Sequence, residues 1–183
     1  ILFTTEQMID ALSPSNFIAT NPEVLESIIS TQGQSIQKGM VNLLGDMKKG
    51  KVSITDESAF EVGKNIATTE GRVVFRNELF ELIQYTPLTE NVYERPYLMV
   101  PPCINKYYIL DLQPDNSVVR HMVAQGHTVF LVSWKNPDAS MAAVSWDDYV
   151  GKGVIKAIEV VKEIGETQQI NILGFCVGGT LTT

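Results

Sequence analysis

The sequence predicts an α/β protein, in which a mostly parallel sheet carries helices on both faces and follows a helical N-terminal region. Three observations lead to this fold class. Apolar residues recur at helical spacing before residue 70, a hairpin pattern begins at Arg72, and short apolar strands then alternate with helices as far as Gly174. We therefore divide the chain into a helical region, residues 1–70, and the first part of a catalytic domain, residues 71–183.

The composition excludes several classes of function. The 183 residues include 14 Lys and Arg against 21 Asp and Glu, a net charge of −7. Nucleic-acid binding needs clustered cations, and no basic patch is visible, so we expect no nucleic-acid partner. No apolar run approaches the ~20 residues that cross a bilayer. We also expect neither a metal nor a cofactor, and a cytoplasmic location.

The N-terminal helices are predicted from a cap and from a repeating apolar face. Asn21-Pro22 places a capping side chain and a first-turn proline before an apolar run. Further along, five apolar residues fall on one helical face, namely Ile36, Met40, Leu43, Leu44 and Met47. This face either packs into the chain's own core or binds a partner or an apolar surface.

The catalytic domain is predicted to begin with a hairpin. Val73-Val74-Phe75 and residues 79–83 flank a short polar break. A strand at 97–100 follows, then a helix from Pro114 with Val118, Val119, Met122 and Val123 inward. A strand at 128–132, a helix after residues 146–148 that stops at Gly165, and a strand at 170–173 complete the pattern.

The last strand leads into the pattern that carries chemistry. Gly174-Phe175-Cys176-Val177-Gly178 fits a nucleophile elbow, the strand-to-helix turn of α/β-hydrolase-like folds. Cys176 would be the nucleophile, because the start of a helix favours the thiolate. The N–H of Val177 would stabilise an oxyanion. The alternative is a buried structural cysteine at a glycine-rich turn.

The loop after the third strand, residues 101–113, is expected to supply a second oxyanion donor. The amide of Ile104 is our candidate, with that of Cys103 as the alternative. Cys103 itself is either a wall residue or a reactive thiol. We name Cys103, Asn105, Lys106 and Tyr107 as candidate substrate contacts, although a solvated lysine and core tyrosines would give the same pattern.

We expect no residue of this sequence to act as the base that activates Cys176. His127 would lie about 20 Å from the elbow, at the other end of a six-residue strand, and His121 would lie in the middle of a helix. Both are expected to be structural or surface residues. In this fold the acid and the histidine follow the nucleophile in the chain, so we expect both beyond Thr183. The recorded chain would then be inactive alone.

Six segments together resemble the class I polyhydroxyalkanoate synthases. They are residues 13–17, 55–63, 101–113, 126–134, 136–141 and 174–180. The resemblance implies polymerisation of (R)-3-hydroxyacyl-CoA, mainly 3-hydroxybutyryl-CoA, with release of CoA. It also implies a Cys, Asp and His triad, a homodimer, and association with the growing polyester on a granule surface. Of the triad, only the cysteine has a counterpart here, Cys176.

Two other functions stay open. A cysteine-dependent thioesterase or polyester hydrolase would use the same elbow. A non-catalytic half that binds a partner or a granule would use the helical region and the sheet. We also expect the isolated 183 residues to be poorly soluble or partly unfolded, because an apolar strand edge would lack a neighbour.

Overall fold

The computed structural model describes all 183 residues, which form two compact units, Ile1–Asp56 and Glu57–Thr183. The predicted boundary lies at residue 70, so residues 57–70 group here with the sheet. The first unit consists of three helices, α1 (Leu2–Ala11), α2 (Pro22–Ser30) and α3 (Gln34–Lys49). Helical structure was predicted as far as residue 70, but α3 is the last α-helix of this region, and the later 3₁₀ helix Glu57–Ala59 has only three residues. Gly50 ends it at a φ of 70°, a left-handed conformation that suits glycine.

The cap of α2 is the predicted one. The Asn21 side chain accepts hydrogen bonds from the N–H groups of Glu23 and Val24, and Pro22 occupies the first turn. The predicted apolar face of α3 is not buried in a core of the chain. Its residues are more than half exposed, and Ile36, Met40 and Leu43 line an apolar groove between α2 and α3.

The second unit is built on a five-stranded sheet. Its strands are β1 (Gly71–Arg76), β2 (Phe80–Tyr85), β3 (Tyr97–Val100), β4 (Val129–Trp134) and β5 (Asn171–Gly174), in the order β1-β2-β4-β3-β5. β2 runs antiparallel to both of its neighbours, and β3 runs parallel to both β4 and β5. The sheet is therefore mixed, with only β2 opposing the common strand direction.

Helices cover the two faces of this sheet. α4 (Val118–Ala124) precedes β4, and a continuous helical stretch precedes β5, consisting of α5 (Trp146–Asp148), a π-helical segment (Tyr149–Ile155) and α6 (Lys156–Ile164). α7 (Val177–Thr182) follows the last strand. Because side chains alternate along a strand, Leu98 and Val100 pack on the α6 face and Met99 packs on the α4 face.

Two details of the helices differ from the prediction. α4 begins at Val118, because Pro114–Asn116 forms a separate 3₁₀ turn and Ser117 caps the helix through a bond from the Arg120 N–H. Val118 points outward and is 43% exposed, while Val119 and Val123 are buried. Val118 therefore lies outside the buried face of α4, and the prediction that it faces inward was wrong.

Candidate active site

The turn after β5 holds Cys176 in a strained conformation. Its φ is 53° and its ψ is −121°, in a region that non-glycine residues rarely occupy. Such strain costs about 1–3 kcal/mol and persists where the surrounding structure enforces it. Cys176 is exposed and α7 begins at the next residue, so the backbone presents this thiol to solvent.

Two glycines make the turn sterically feasible. A Cβ on Gly178 would lie 1.9 Å from the carbonyl oxygen of Val100, and one on Gly174 would lie 2.5 Å from the Cα of Gly179. Both distances are far below contact distance, and the neighbouring atoms are backbone. A Cβ on Gly179 would lie 3.5 Å from its nearest neighbour, so Gly179 is not required in the same way. Gly178 is thus required by the close approach of α7 to β3, and Gly174 by the close approach of α7 to β5.

Hydrogen bonds tie the elbow to β3 and leave the amide of Val177 without a backbone partner. The Phe175 N–H donates to the carbonyl oxygen of Val100 at 3.0 Å, and the Gly178 and Gly179 N–H groups donate within the turn, to Phe175 and Cys176. The N–H of Val177 makes no such bond. The residue after the cysteine therefore keeps the donor that an oxyanion would need.

The loop after β3 begins beside this elbow. Val100 pairs with Gly174 at the ends of their parallel strands, so the residues that follow each of them lie at the same edge of the sheet. Ile104 is 78% exposed, and its N–H makes no backbone bond. Cys103 is partly buried and packs against the α6-side core.

The other candidate contacts of this loop fall into two groups. Asn105 and Lys106 are exposed, and the Lys106 Nζ donates to the Asn136 Oδ1 at 2.6 Å. This bond connects two of the segments that carry the family resemblance. Tyr107 instead packs against the α4-side core, where burial and the charge of Asp111 raise its pKa. Of the four candidate contacts, Cys103 and Tyr107 thus pack against the core, and Asn105 and Lys106 are exposed.

The two histidines lie away from the elbow. His121 is exposed on α4. His127 lies between Tyr93 and Tyr97, with ring centroids 4.8 and 4.9 Å away, just before β4 begins. β4, β3 and β5 run in the same direction. Because His127 precedes β4 and the elbow follows β5, the two lie at opposite ends of these strands. The chain contains no cluster of His, Cys, Asp or Glu side chains that could hold a metal ion.

One buried carboxylate was not predicted from the sequence. Asp111 is 1% exposed and accepts hydrogen bonds from the hydroxyls of Thr69 and Ser117, each at 2.6 Å. Burial and then this carboxylate raise the pKa of Tyr85. The Thr69 partner lies 42 residues away in the chain, and no local pattern in the sequence indicates that pairing.

Comparisons with known proteins show the family of this chain. Residues 1–122 match the family model described as the N-terminus of poly-beta-hydroxybutyrate polymerase (PhaC). The chain belongs to the PhaC polymerase family. The family resemblance drawn from the sequence is therefore confirmed.

Several curated members of the PhaC family are similar to this chain. The poly(3-hydroxyalkanoate) polymerase subunit PhaC of Cupriavidus necator is 61% identical over 183 residues, which are all of this chain and 31% of the relative. The poly(3-hydroxyalkanoate) polymerase of Methylorubrum extorquens is 45% identical over 98% of this chain and 30% of the relative. A PhaC subunit of Haloferax mediterranei is 36% identical over 64% of this chain and 24% of the relative. The chain thus spans less than a third of the length of these relatives.

None of the helices in this chain has the length and apolar character needed to span a membrane.

Proposed function

We propose that this chain carries the nucleophile of an acyltransferase that polymerises (R)-3-hydroxyacyl-CoA, mainly 3-hydroxybutyryl-CoA. The observation that carries this proposal is the exposed Cys176 on its strained turn, followed by the free N–H of Val177. The names of the relatives support the polymer as product. The turn after β5 and the loop after β3 also support an α/β-hydrolase-like fold.

The first step transfers the acyl group to the enzyme. A base takes the proton of the Cys176 thiol, the thiolate attacks the thioester carbonyl, the bond to the CoA sulfur breaks, and CoA leaves with that proton. The product is another thioester of similar energy, so the acyl group stays activated. The N–H groups of Val177 and Ile104 stabilise the oxyanion that forms during this attack.

The second step extends the polymer. The hydroxyl of a hydroxyacyl chain loses its proton to a base and attacks the Cys176 thioester, which forms an oxoester and regenerates the thiol. An oxoester is more stable than a thioester, and this difference drives chain growth. The aspartate and histidine that the family resemblance implies have no counterpart in these 183 residues, and His121 and His127 do not replace them. We propose that residues outside this sequence supply both, and that the chain alone is inactive.

A thioesterase or polyester hydrolase is the second candidate, because the exposed Cys176 would also admit water to its acyl intermediate. An assay of a full-length protein that carries this sequence with 3-hydroxybutyryl-CoA distinguishes the synthase from the hydrolase. Insoluble polymer together with CoA release supports the synthase, and free hydroxy acid alone supports the hydrolase. Cys176→Ala should abolish CoA release. Activity that survives Cys176→Ala would contradict both.

The first unit supports a binding role besides the catalytic role of the second unit. Its groove of about 570 Å³ is lined mainly by apolar side chains of α2 and α3. We propose that this unit contributes to homodimer formation or to contact with the polyester granule, in the cytoplasm.

A non-catalytic role for the whole chain would require that Cys176→Ala leave polymer synthesis unchanged.

A further inference from the structure

The last residue of β4, Trp134, touches the loop after β3. Trp134 is 7% exposed, and its Nε1–H donates to the carbonyl oxygen of Pro101 at 2.8 Å. Pro101 is the first residue of that loop. The preceding carbonyl, of Val100, accepts the N–H of Phe175 at 3.0 Å. The consecutive carbonyls of Val100 and Pro101 therefore accept hydrogen bonds, one from the elbow and one from Trp134.

The indole itself is enclosed on three sides. Phe80 and Tyr149 contact it edge-on, with ring centroids 6.0 and 5.3 Å away. On the third side lies Gly153, where a Cβ would come within 2.8 Å of the indole Cζ3 and Cη2 atoms. Gly153 belongs to the π-helical segment Tyr149–Ile155, a type of irregularity that is frequent at functional sites.

We propose that Trp134 is a positioning residue that holds the loop after β3 in place relative to the Cys176 elbow. The bond to Pro101 anchors the start of the loop that carries the Ile104 amide. A fixed spacing between that amide and the amide of Val177 is what an oxyanion site of two donors requires. The catalytic part of this inference rests on the proposed function, and the anchoring part does not.

The first variant removes the hydrogen bond together with part of the indole volume. Trp134→Phe keeps an aromatic ring in the pocket and loses the N–H, so the buried Pro101 carbonyl has no donor. In a full-length synthase that carries this sequence, we expect kcat for CoA release to fall about 10-fold to 100-fold with little change in KM. A donor that acts mainly in the transition state changes kcat rather than substrate binding. Trp146→Phe, at a residue that is 49% exposed, is the matched control and should behave as the parent.

A second variant tests the same contact without touching Trp134. Gly153→Ala would push the indole, whereas Gly151→Ala, in the same helical segment, has no atom within 4 Å of its new Cβ. Both changes favour helix formation. We expect Gly153→Ala to lower kcat and Gly151→Ala to leave it unchanged, and equal effects of the two would overturn the proposal.

A third measurement does not depend on activity. Cys103 lies in the anchored loop and packs in the same core cluster as Trp134. Its alkylation by iodoacetamide, followed by peptide mass spectrometry, should become several-fold faster in Trp134→Phe but not in Trp146→Phe. An unchanged rate would overturn the anchoring, and a faster rate with unchanged kcat would overturn its role in catalysis. If the parent releases no CoA, the proposed function fails, and the Cys103 rates still decide whether Trp134 anchors the loop.

Discussion

Cys176 combines exposure with an unfavourable backbone conformation. Its positive φ would be relieved by glycine, yet the chain places a thiol there. Neighbouring residues enforce the turn through the Phe175 bond to Val100 and the close approach of Gly178. The strain therefore fits a residue whose role is to present its side chain rather than to stabilise the fold.

The two cysteines should differ in reactivity. Cys176 is exposed, whereas Cys103 is partly buried in the core. In the full-length protein, iodoacetamide should label Cys176 several-fold faster than Cys103, as measured by peptide mass spectrometry. Cys103→Ser serves as the control that assigns the signal, and equal rates at the two sites would weaken the elbow interpretation.

Gly178 should not tolerate a side chain. Gly178→Ala would place a methyl group 1.9 Å from the Val100 oxygen, where only the backbone of β3 or α7 could move. We expect a loss of about 3 kcal/mol in the free energy of unfolding, together with loss of activity. Gly179→Ala, where the nearest atom is 3.5 Å away, is the control for urea denaturation. Equal stability of the two variants would contradict the steric argument.

At the scale of the element, the helical stretch before β5 begins with a reciprocal cap. The Ser145 Oγ accepts the Asp148 N–H at 3.2 Å, and an Asp148 oxygen accepts the Ser145 N–H at 2.9 Å. Lys152 adds an ion pair to Asp148 at 2.9 Å. These contacts start a helix that passes through the π-helical segment and packs Gly153 on Trp134.

The cap makes stability depend on pH. The Ser145 backbone and side chain, and then Lys152, lower the pKa of Asp148 below its usual value. The stabilisation is thus complete above the carboxyl pKa of the unfolded chain, about 3.9, and is lost as the pH falls below that value. In Asp148→Asn, the decrease in melting temperature between about pH 5 and pH 3 should be smaller than in the parent. Asp147→Asn is the control, and an unchanged slope in Asp148→Asn would contradict the assignment.

At the scale of the whole second unit, Asp111 joins distant parts of the chain. Its carboxylate binds Thr69, which precedes β1, and Ser117, which caps α4. The Ala67 N–H also donates to the Asp111 carbonyl oxygen at 2.9 Å. The residue therefore fastens the segment before the sheet to the loop that follows β3.

Removal of this carboxylate should destabilise the whole second unit. Asp111→Ala leaves the two hydroxyls without their buried acceptor, and we expect a loss of about 2–4 kcal/mol in the free energy of unfolding. Asp111→Asn keeps one acceptor oxygen and should lose less. Urea denaturation measures both, and Asp115→Ala, on the exposed 3₁₀ turn, is the control. A loss as small as that of the control would contradict a structural role.

The isolated 183 residues should self-associate. β5 pairs only with β3, and Ile172 and Phe175 are 40% and 41% exposed at that edge. An uncovered apolar strand edge favours pairing with other chains. Size-exclusion chromatography should show aggregates that decrease in Ile172→Lys, and a monodisperse parent with cooperative melting would contradict this expectation.

The sequence by itself predicted the features that depend on local order. The Asn21 cap, the hairpin of β1 and β2, and the turn at Cys176 arise from neighbouring residues whose spacing carries the conformation. Val118 was misjudged because an apolar residue at the start of a helix can face either way until the sheet is placed. Likewise, the sequence allowed the apolar face of α3 to be either buried or exposed, and only the tertiary structure showed that it is exposed.

The tertiary structure alone decided the contacts that join remote residues. Asp111 with Thr69, Trp134 with Pro101, and Gly178 with Val100 each span at least 33 residues of chain. Such pairs leave no periodic trace in a single sequence, because their partners meet only after the strands take the order β1-β2-β4-β3-β5. The turn at Cys176 could thus be predicted from adjacent residues, whereas the residues that hold its surroundings required the folded sheet.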